Sequence, residues 1–232
     1  MSSADAKASS VIESALSHGR GRIVNAEAVV LSRADWGEAD RIASVYTELY
    51  GRMTVRFVGV NRPRAKLRCL AEPLTRLELR LHLGGRQGAC KAIGGRIIDT
   101  HPAVRSDLGR TIDALTLAEM LLRLTPEWSP NRDKYLLLVS ALSALEAGAS
   151  GWTVAGFGLR LLELAGVGLA DSPASGVDPR AWEALHRSPW EELRVLPFDP
   201  ATAGRVLSAV RDAVQAHAGR ELKSLAFAEL AR

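Results

Sequence analysis

The run Asn61-Arg62-Pro63-Arg64-Ala65-Lys66-Leu67-Arg68 sets four cations at every second position. In an extended chain alternate residues share one side at steps of about 6.6 to 6.8 Å, so Arg62, Arg64, Lys66 and Arg68 would form one row. Such a row suits backbone phosphates, and each contact would displace counterions and make binding fall with salt. A solvated loop is the plain alternative. Arg52, Arg56, Arg76, Arg80, Arg86 and Arg96 flank the run and favour binding. Of these, Arg52, Arg56 and Arg86 join the four as candidate DNA contacts.

The charge balance points to the same stretch. Residues 21 to 100 carry 14 Lys and Arg against 8 Asp and Glu, a net of +6. Residues 1 to 20 sum to zero and residues 101 to 232 to −2, so the positive balance of the chain, +4, comes from one segment. A polyanion is the expected ligand of that segment. Aromatic platforms are few there: Trp36, Tyr46, Tyr50 and Phe57, some of which must be core. Phosphate contact should therefore outweigh base stacking, and duplex DNA is as plausible a ligand as single-stranded DNA.

Enzyme chemistry finds little support. Glu38 and Asp40 stand two residues apart in Trp36-Gly-Glu-Ala-Asp-Arg41, but no His, Ser or metal cluster accompanies them. That stretch reads as a turn between strands with Asp40 and Arg41 paired on the surface. No phosphate-binding loop, nucleophile elbow, zinc-protease helix or dinucleotide fingerprint occurs. The five histidines have no ligand spacing, so neither metal nor cofactor is expected. Cys69 and Cys90 form no Cys-x-x-Cys pair and read as two part-buried residues in strands.

Five strands are predicted between Ile23 and Asp99. They fall at Asn25–Leu31, Ile42–Tyr46, Met53–Val60, Leu74–Leu83 and Ala89–Asp99. In the fourth, Leu77, Leu79, Leu81 and Leu83 share one face while Arg76, Glu78, Arg80 and His82 share the other. Gly84 to Gly88 reads as a turn and Gly94-Gly95 as a bend or bulge. Five strands in about 75 residues fit an OB-fold β-barrel, with an SH3-like barrel as the nearest alternative.

After Pro102 the period becomes helical. Helices are predicted at Leu108–Leu124, Asp133–Ala147, Val154–Ala165 and Pro179–Arg187, then from Asp199-Pro200 to His217, and lastly at Leu222–Leu230. The third is apolar nearly all round and should be central. A groove along it, beside Arg160, could accept a short hydrophobic acidic peptide. Trp128, Trp152, Trp182 and Trp190 sit in or beside the helical part and read as core or loop packing. The class is α+β and multidomain. Residues 1–22 read as a flexible extension with a short helix at Val11–Leu16, residues 23–100 as the barrel and residues 101–232 as the helical domain. No apolar run is long enough to cross a bilayer, and a cytoplasmic, nucleoid-associated place is expected.

Several stretches together resemble the RecO family of recombination mediator proteins. Ala28 to Ile42 looks like that family's opening strand, turn and second strand. Thr47-Glu-Leu-Tyr-Gly-Arg52, Gly59-Val-Asn-Arg62 and Leu70-Ala-Glu-Pro-Leu74 follow in order. Phe157 to Gly166 and Gly219-Arg-Glu-Leu-Lys-Ser224 complete the likeness. The resemblance implies an OB-fold followed by a helical domain. It also implies binding of single- and double-stranded DNA, strand annealing and recombinase loading. The partners it implies are RecR and the C-terminal tail of single-stranded DNA-binding protein. It carries DNA contact onto Arg33, Arg52, Arg62, Arg64, Lys66 and Arg68. Many members carry a four-cysteine zinc module where this chain has Val167 to Val177 without cysteine. The alternatives are an adaptor binding RNA or an acidic protein and, with least support, a nucleic-acid-processing enzyme.

Overall fold

Alternation of small or branched apolar residues with polar ones builds a closed barrel from β1 (Arg22–Trp36), β2 (Asp40–Thr47), β3 (Gly51–Phe57), β4 (Arg76–Leu83) and β5 (Cys90–Asp99). The computed structural model describes residues 22–61, 68–84, 90–149, 151–169, 173–219 and 222. The helices expected over 11–16 and 222–230 lie outside these, Leu222 apart, as does the turn beyond Gly84.

The strand order is β1-β2-β3-β5-β4, and β1 also bonds β4 to close the ring. Neighbours run antiparallel except β3 and β5, which are parallel. This is an OB-like Greek-key barrel. β1 serves two edges: Arg22 to Val29 pair with β4 and Ala28 to Trp36 with β2, the strand bending at a bulge at Leu31. Ala28, Val45, Val55, Leu77, Leu79, Leu81 and Leu83 fill the interior. Each fully buried leucine contributes roughly 1.5–3 kcal/mol. Cys90 is buried among them, and burial raises its thiol to about 12. Cys69 departs from the expectation, being exposed in a short 3-10 turn, Arg68–Ala71, between strands.

The chain divides into two units. Residues to Thr100 form the first together with Pro126–Tyr135, and His101–Thr125 with Leu136 onward form the second. Within the first unit the returning segment lies on the outer face of β2 and β3. The Trp128 N–H donates to the Arg52 carbonyl at 2.8 Å. Thr54 Oγ1 donates to Glu127 at 2.6 Å and the Tyr46 hydroxyl to the Asn131 carbonyl at 3.3 Å. Trp128, expected as core or loop packing in or beside the helical part, packs against the barrel core.

Seven helices occur among the described residues: α1 (Pro102–Ser106), α2 (Leu108–Leu124), α3 (Arg132–Glu146), α4 (Trp152–Leu164), α5 (Pro179–Arg187), α6 (Trp190–Val195) and α7 (Pro200–Ala218). The short α1 and α6 are too brief to leave a helical period in the sequence. Asp107, Asp178 and Asp199 cap α2, α5 and α7 with their carboxylates, and Pro179 and Pro200 follow the last two caps. α4 is buried on nearly every side, as its composition predicts, and packs against α2, α5, α6 and α7. Gly158 makes that crossing close, since a Cβ there would lie 2.7 Å from Val210 on α7. None of the described helices is long and apolar enough to cross a membrane.

His186 at the end of α5 gives this unit an acid limit. Its side chain is 3% exposed and neither ring nitrogen has a hydrogen-bond partner among the described residues. Burial lowers its pKa from the ordinary 6.5, outweighing the opposing pull of Glu163. The unfolded chain then binds the proton more readily than the folded one. The stability this neutral ring contributes is complete above about pH 6.5 and is lost as pH falls toward the lowered folded value. Melting temperatures of the wild type should therefore drop more steeply below pH 6.5 than those of His186→Leu. Parallel acid limbs in the two proteins would refute this.

Candidate nucleic-acid interface

Strand pairing gathers cations that are far apart in sequence. Ile42 on β2 pairs with Arg56 on β3, Arg56 with Lys91 on β5, and Lys91 with His82 on β4. With strands about 4.8 Å apart, these four form one row on the outer surface of the sheet. Arg80, the next outward residue of β4, lies opposite Gly94, where the register slips and the strand bulges at Ile93. The bend expected at Gly94-Gly95 is this bulge. Lys91 and Arg80 are exposed, and neither has an acidic partner among the described residues. Arg56 keeps 42% of its side chain in solvent while its guanidinium lies 2.6 Å from Asp40. Asp40 also accepts the Gly59 N–H at 2.7 Å, so one carboxylate fixes both the arginine and the chain leaving β3. Farther along the same strands other arginines are paired as Arg56 is, Arg96 with Glu78 at 2.6 Å and Arg76 with Glu27 at 2.9 Å.

The β1–β2 hairpin extends past the barrel, its turn at Gly37 to Ala39. Asp40 and Arg41, expected as a pair, do not meet, because neighbours on a strand point to opposite faces. Asp40 turns outward to Arg56, and Arg41 turns to the other side. There it bonds Asp35 at 3.2 Å and Glu72 at 2.9 Å, and Glu72 also holds Arg33 at 2.6 Å. Asn61 ties in through its side-chain amide to Asp35 at 3.2 Å and its N–H to the Ala39 carbonyl at 2.9 Å. The Asn61 amide and the Arg41 guanidinium hold the Asp35 carboxyl below its ordinary range.

The predicted contacts therefore separate. Arg56 stands in the outer row. Arg33 lies on the opposite side of the hairpin, in the Glu72 network. Arg52 is half-buried beside the returning segment, with its Nε enclosed and lacking a hydrogen-bond partner among the described residues. Arg62, Arg64, Lys66 and Arg86 lie outside the described residues, as does the side chain of Arg68. Lys91 escapes a sequence reading because a single lysine in an apolar strand carries no signal. Only the parallel β3–β5 register places it beside Arg56.

In the helical unit Arg160 is not free to line a groove. Its Nε donates to the Leu185 carbonyl at 2.9 Å, a second nitrogen donates to the Ser188 carbonyl, and the guanidinium lies 4.2 Å above the Trp190 ring. An apolar pocket among the described residues lies instead at the start of α4. It offers about 400 Å³ between Trp152, Ala184, Leu185, Leu196 and Pro197, with exposed Asp178 and Arg180 both on its lining.

Two family models cover these units in order. Recombination protein O N terminal matches residues 18–94, and Recombination protein O C terminal matches residues 105–171. The chain belongs to the RecO family. Curated relatives of this RecO-family chain carry the description DNA repair protein RecO. The protein of Myxococcus xanthus is 28% identical over 233 residues, covering 87% of this chain and 95% of its own length. That of Pelotomaculum thermopropionicum is 31% identical over 145 residues, 62% of this chain and 56% of the relative. The Roseiflexus protein is 32% identical over 148 residues, 63% of this chain and 51% of the relative. Against the latter two, the matched part spans about half the length of the relative. The RecO N-terminal match includes β1 to β4 and reaches Gly94, so the row Ile42, Arg56, Lys91 and His82 lies inside it.

Proposed function

We propose that this chain is a DNA-binding mediator of recombinational repair that anneals complementary strands and performs no covalent chemistry. Membership of the RecO family supports a role in DNA repair. The observation that carries DNA contact is the outer row of the barrel, where exposed Lys91 and Arg80 lack acidic partners among the described residues beside an Arg56 oriented by Asp40. Cations on one rigid surface neutralise phosphates of either strand and lower the repulsion that opposes pairing. Arg33, Arg52, Arg62, Arg64, Lys66, Arg68 and Arg86 are further phosphate contacts in this proposal, Arg33 from the opposite side of the hairpin. Single- and double-stranded DNA are both ligands, because phosphate is common to them.

The helical unit serves as the partner platform, for RecR and for the C-terminal tail of single-stranded DNA-binding protein. The pocket at Trp152 and Leu185 supports the second: it offers apolar burial to a hydrophobic tail, with Arg180 on its lining and the Asp178 carboxylate beside it engaged by the Arg180 backbone N–H. On this proposal the chain acts in the cytoplasm at the nucleoid, loading recombinase onto coated strands without a cofactor.

Annealing of complementary oligonucleotides, bare and coated with single-stranded DNA-binding protein, tests the function directly. The double variant Lys91→Glu with Arg80→Glu should anneal more slowly. Its slope of log affinity against log salt should be shallower by about 1.4 to 1.8, since each phosphate left without its cation removes roughly 0.7 to 0.9. A folded double variant with unchanged annealing and slope would remove the row from the interface. Stronger binding of structured RNA than of either DNA would favour an adaptor role instead.

A further inference from the structure

We propose that Trp36 is a stacking platform for an unpaired base, placed beside the phosphate-binding row; this rests on the DNA-binding reading above. Among the described residues of the barrel unit Trp36 is the one exposed aromatic side chain of the Phe, Tyr and Trp class, at 55% of its surface. Tyr46, Tyr50 and Phe57 are buried and Trp128 packs against the core. An indole left in water at a hairpin tip gives up the burial that the other barrel aromatics gain.

The register gives this indole a direction. Trp36 pairs with Asp40, and two residues back Ala34 pairs with Ile42, which heads the row through Arg56 and Lys91. Since alternate residues share a face, Trp36 stands on the same side of the sheet as Arg56 and Lys91, one step beyond the row's end. Arg33 and Arg41 occupy the opposite side of the hairpin. A strand crossing the outer row would bring its phosphates to Arg56 and Lys91 and its next base to the indole.

The tip is also held in place before any ligand arrives. Asp40 fixes one side through Arg56 and the Gly59 N–H. Asn61 fixes the other through Asp35 and the Ala39 carbonyl. A hairpin tip already fixed in this way loses little backbone freedom on binding, which lowers the cost of stacking. Stacking needs an open π-face, so the platform selects unpaired over paired bases, a preference that phosphate contacts alone lack.

Fluorescence anisotropy with the full chain tests this on three labelled ligands: a single-stranded thymidine oligonucleotide, an abasic oligonucleotide of equal length and a duplex. Trp36→Ala should lose about 5- to 100-fold in affinity for the thymidine strand, and Trp36→Phe should retain most of it. Both variants should match wild type on the abasic strand and the duplex, and the salt slope should not change. Equal binding of the thymidine strand by wild type and Trp36→Ala would overturn the proposal alone. So would an equal loss on the abasic strand, which would mean that the indole acts through hairpin structure. Wild type that ignores all three ligands would overturn DNA binding itself, and this inference with it.

Discussion

Replacing Gly51 with alanine lowers the stability of the barrel unit by about 3 kcal/mol or more, a loss that chemical denaturation would register. Two effects combine. Gly51 has φ +68°, which costs a non-glycine residue about 1 kcal/mol or more. A Cβ there would also fall 2.2 Å from the Ser129 carbonyl oxygen and 2.8 Å from the Pro130 nitrogen. Both atoms are backbone, so no side chain can swing aside. The returning segment must lift, weakening the Trp128 bond to Arg52 and the Tyr46 bond to Asn131. Gly37 is the control, with φ +63° and nothing within 4 Å of its would-be Cβ. Gly37→Ala should lose only the backbone part, about 1 kcal/mol. Equal losses at the two glycines would show that the close approach of Ser129 and Pro130 contributes nothing.

Simultaneous replacement of Arg62, Arg64, Lys66 and Arg68 by alanine should have the largest effect on ligand binding. If all four meet phosphate, the slope of log affinity against log salt becomes shallower by about 3, at roughly 0.7 to 0.9 for each phosphate. Affinity at low salt should fall by orders of magnitude, alike for single strands and duplex, since phosphate carries no sequence or strand identity. The run begins directly after Asn61, whose bonds to Ala39 and Asp35 set where the chain departs from the hairpin. Titrating wild type and variant with one oligonucleotide over a salt series measures the change. An unaltered slope in a folded variant would assign the run to the solvated surface and leave Lys91, Arg80 and Arg56 to carry binding.

Faces are legible in the sequence and neighbours are not. The alternation from Leu77 to Leu83 states which side of a strand is buried, and the structure buries those four leucines. Likewise the all-round apolar character of residues 154 to 165 marks a central helix, which α4 is. Alternation is silent about which strand lies alongside. The parallel β3–β5 pair that sets Lys91 beside Arg56 depends on tertiary closure. The pairing of Arg33 with Glu72, 39 positions away, is invisible for the same reason, and a residue read as a ligand contact proves to be engaged with a carboxylate. Trp36 is one aromatic among four in the β region. Only the overhang of the hairpin past the barrel separates it from the buried three. The Pro126–Tyr135 return is hidden because its two prolines and its helix start fit a link between helices equally well.

That return also orders events during synthesis. A ribosome has released all five strands once residue 99 is clear, yet the cover for Tyr46 and the partner of the Arg52 carbonyl arrive some thirty residues later, after α1 and α2 have emerged. Domains usually mature one after another on a nascent chain. Here the earlier one remains unfinished until part of the later one exists, so its outer tyrosine face waits, wet and adhesive, through the making of two helices.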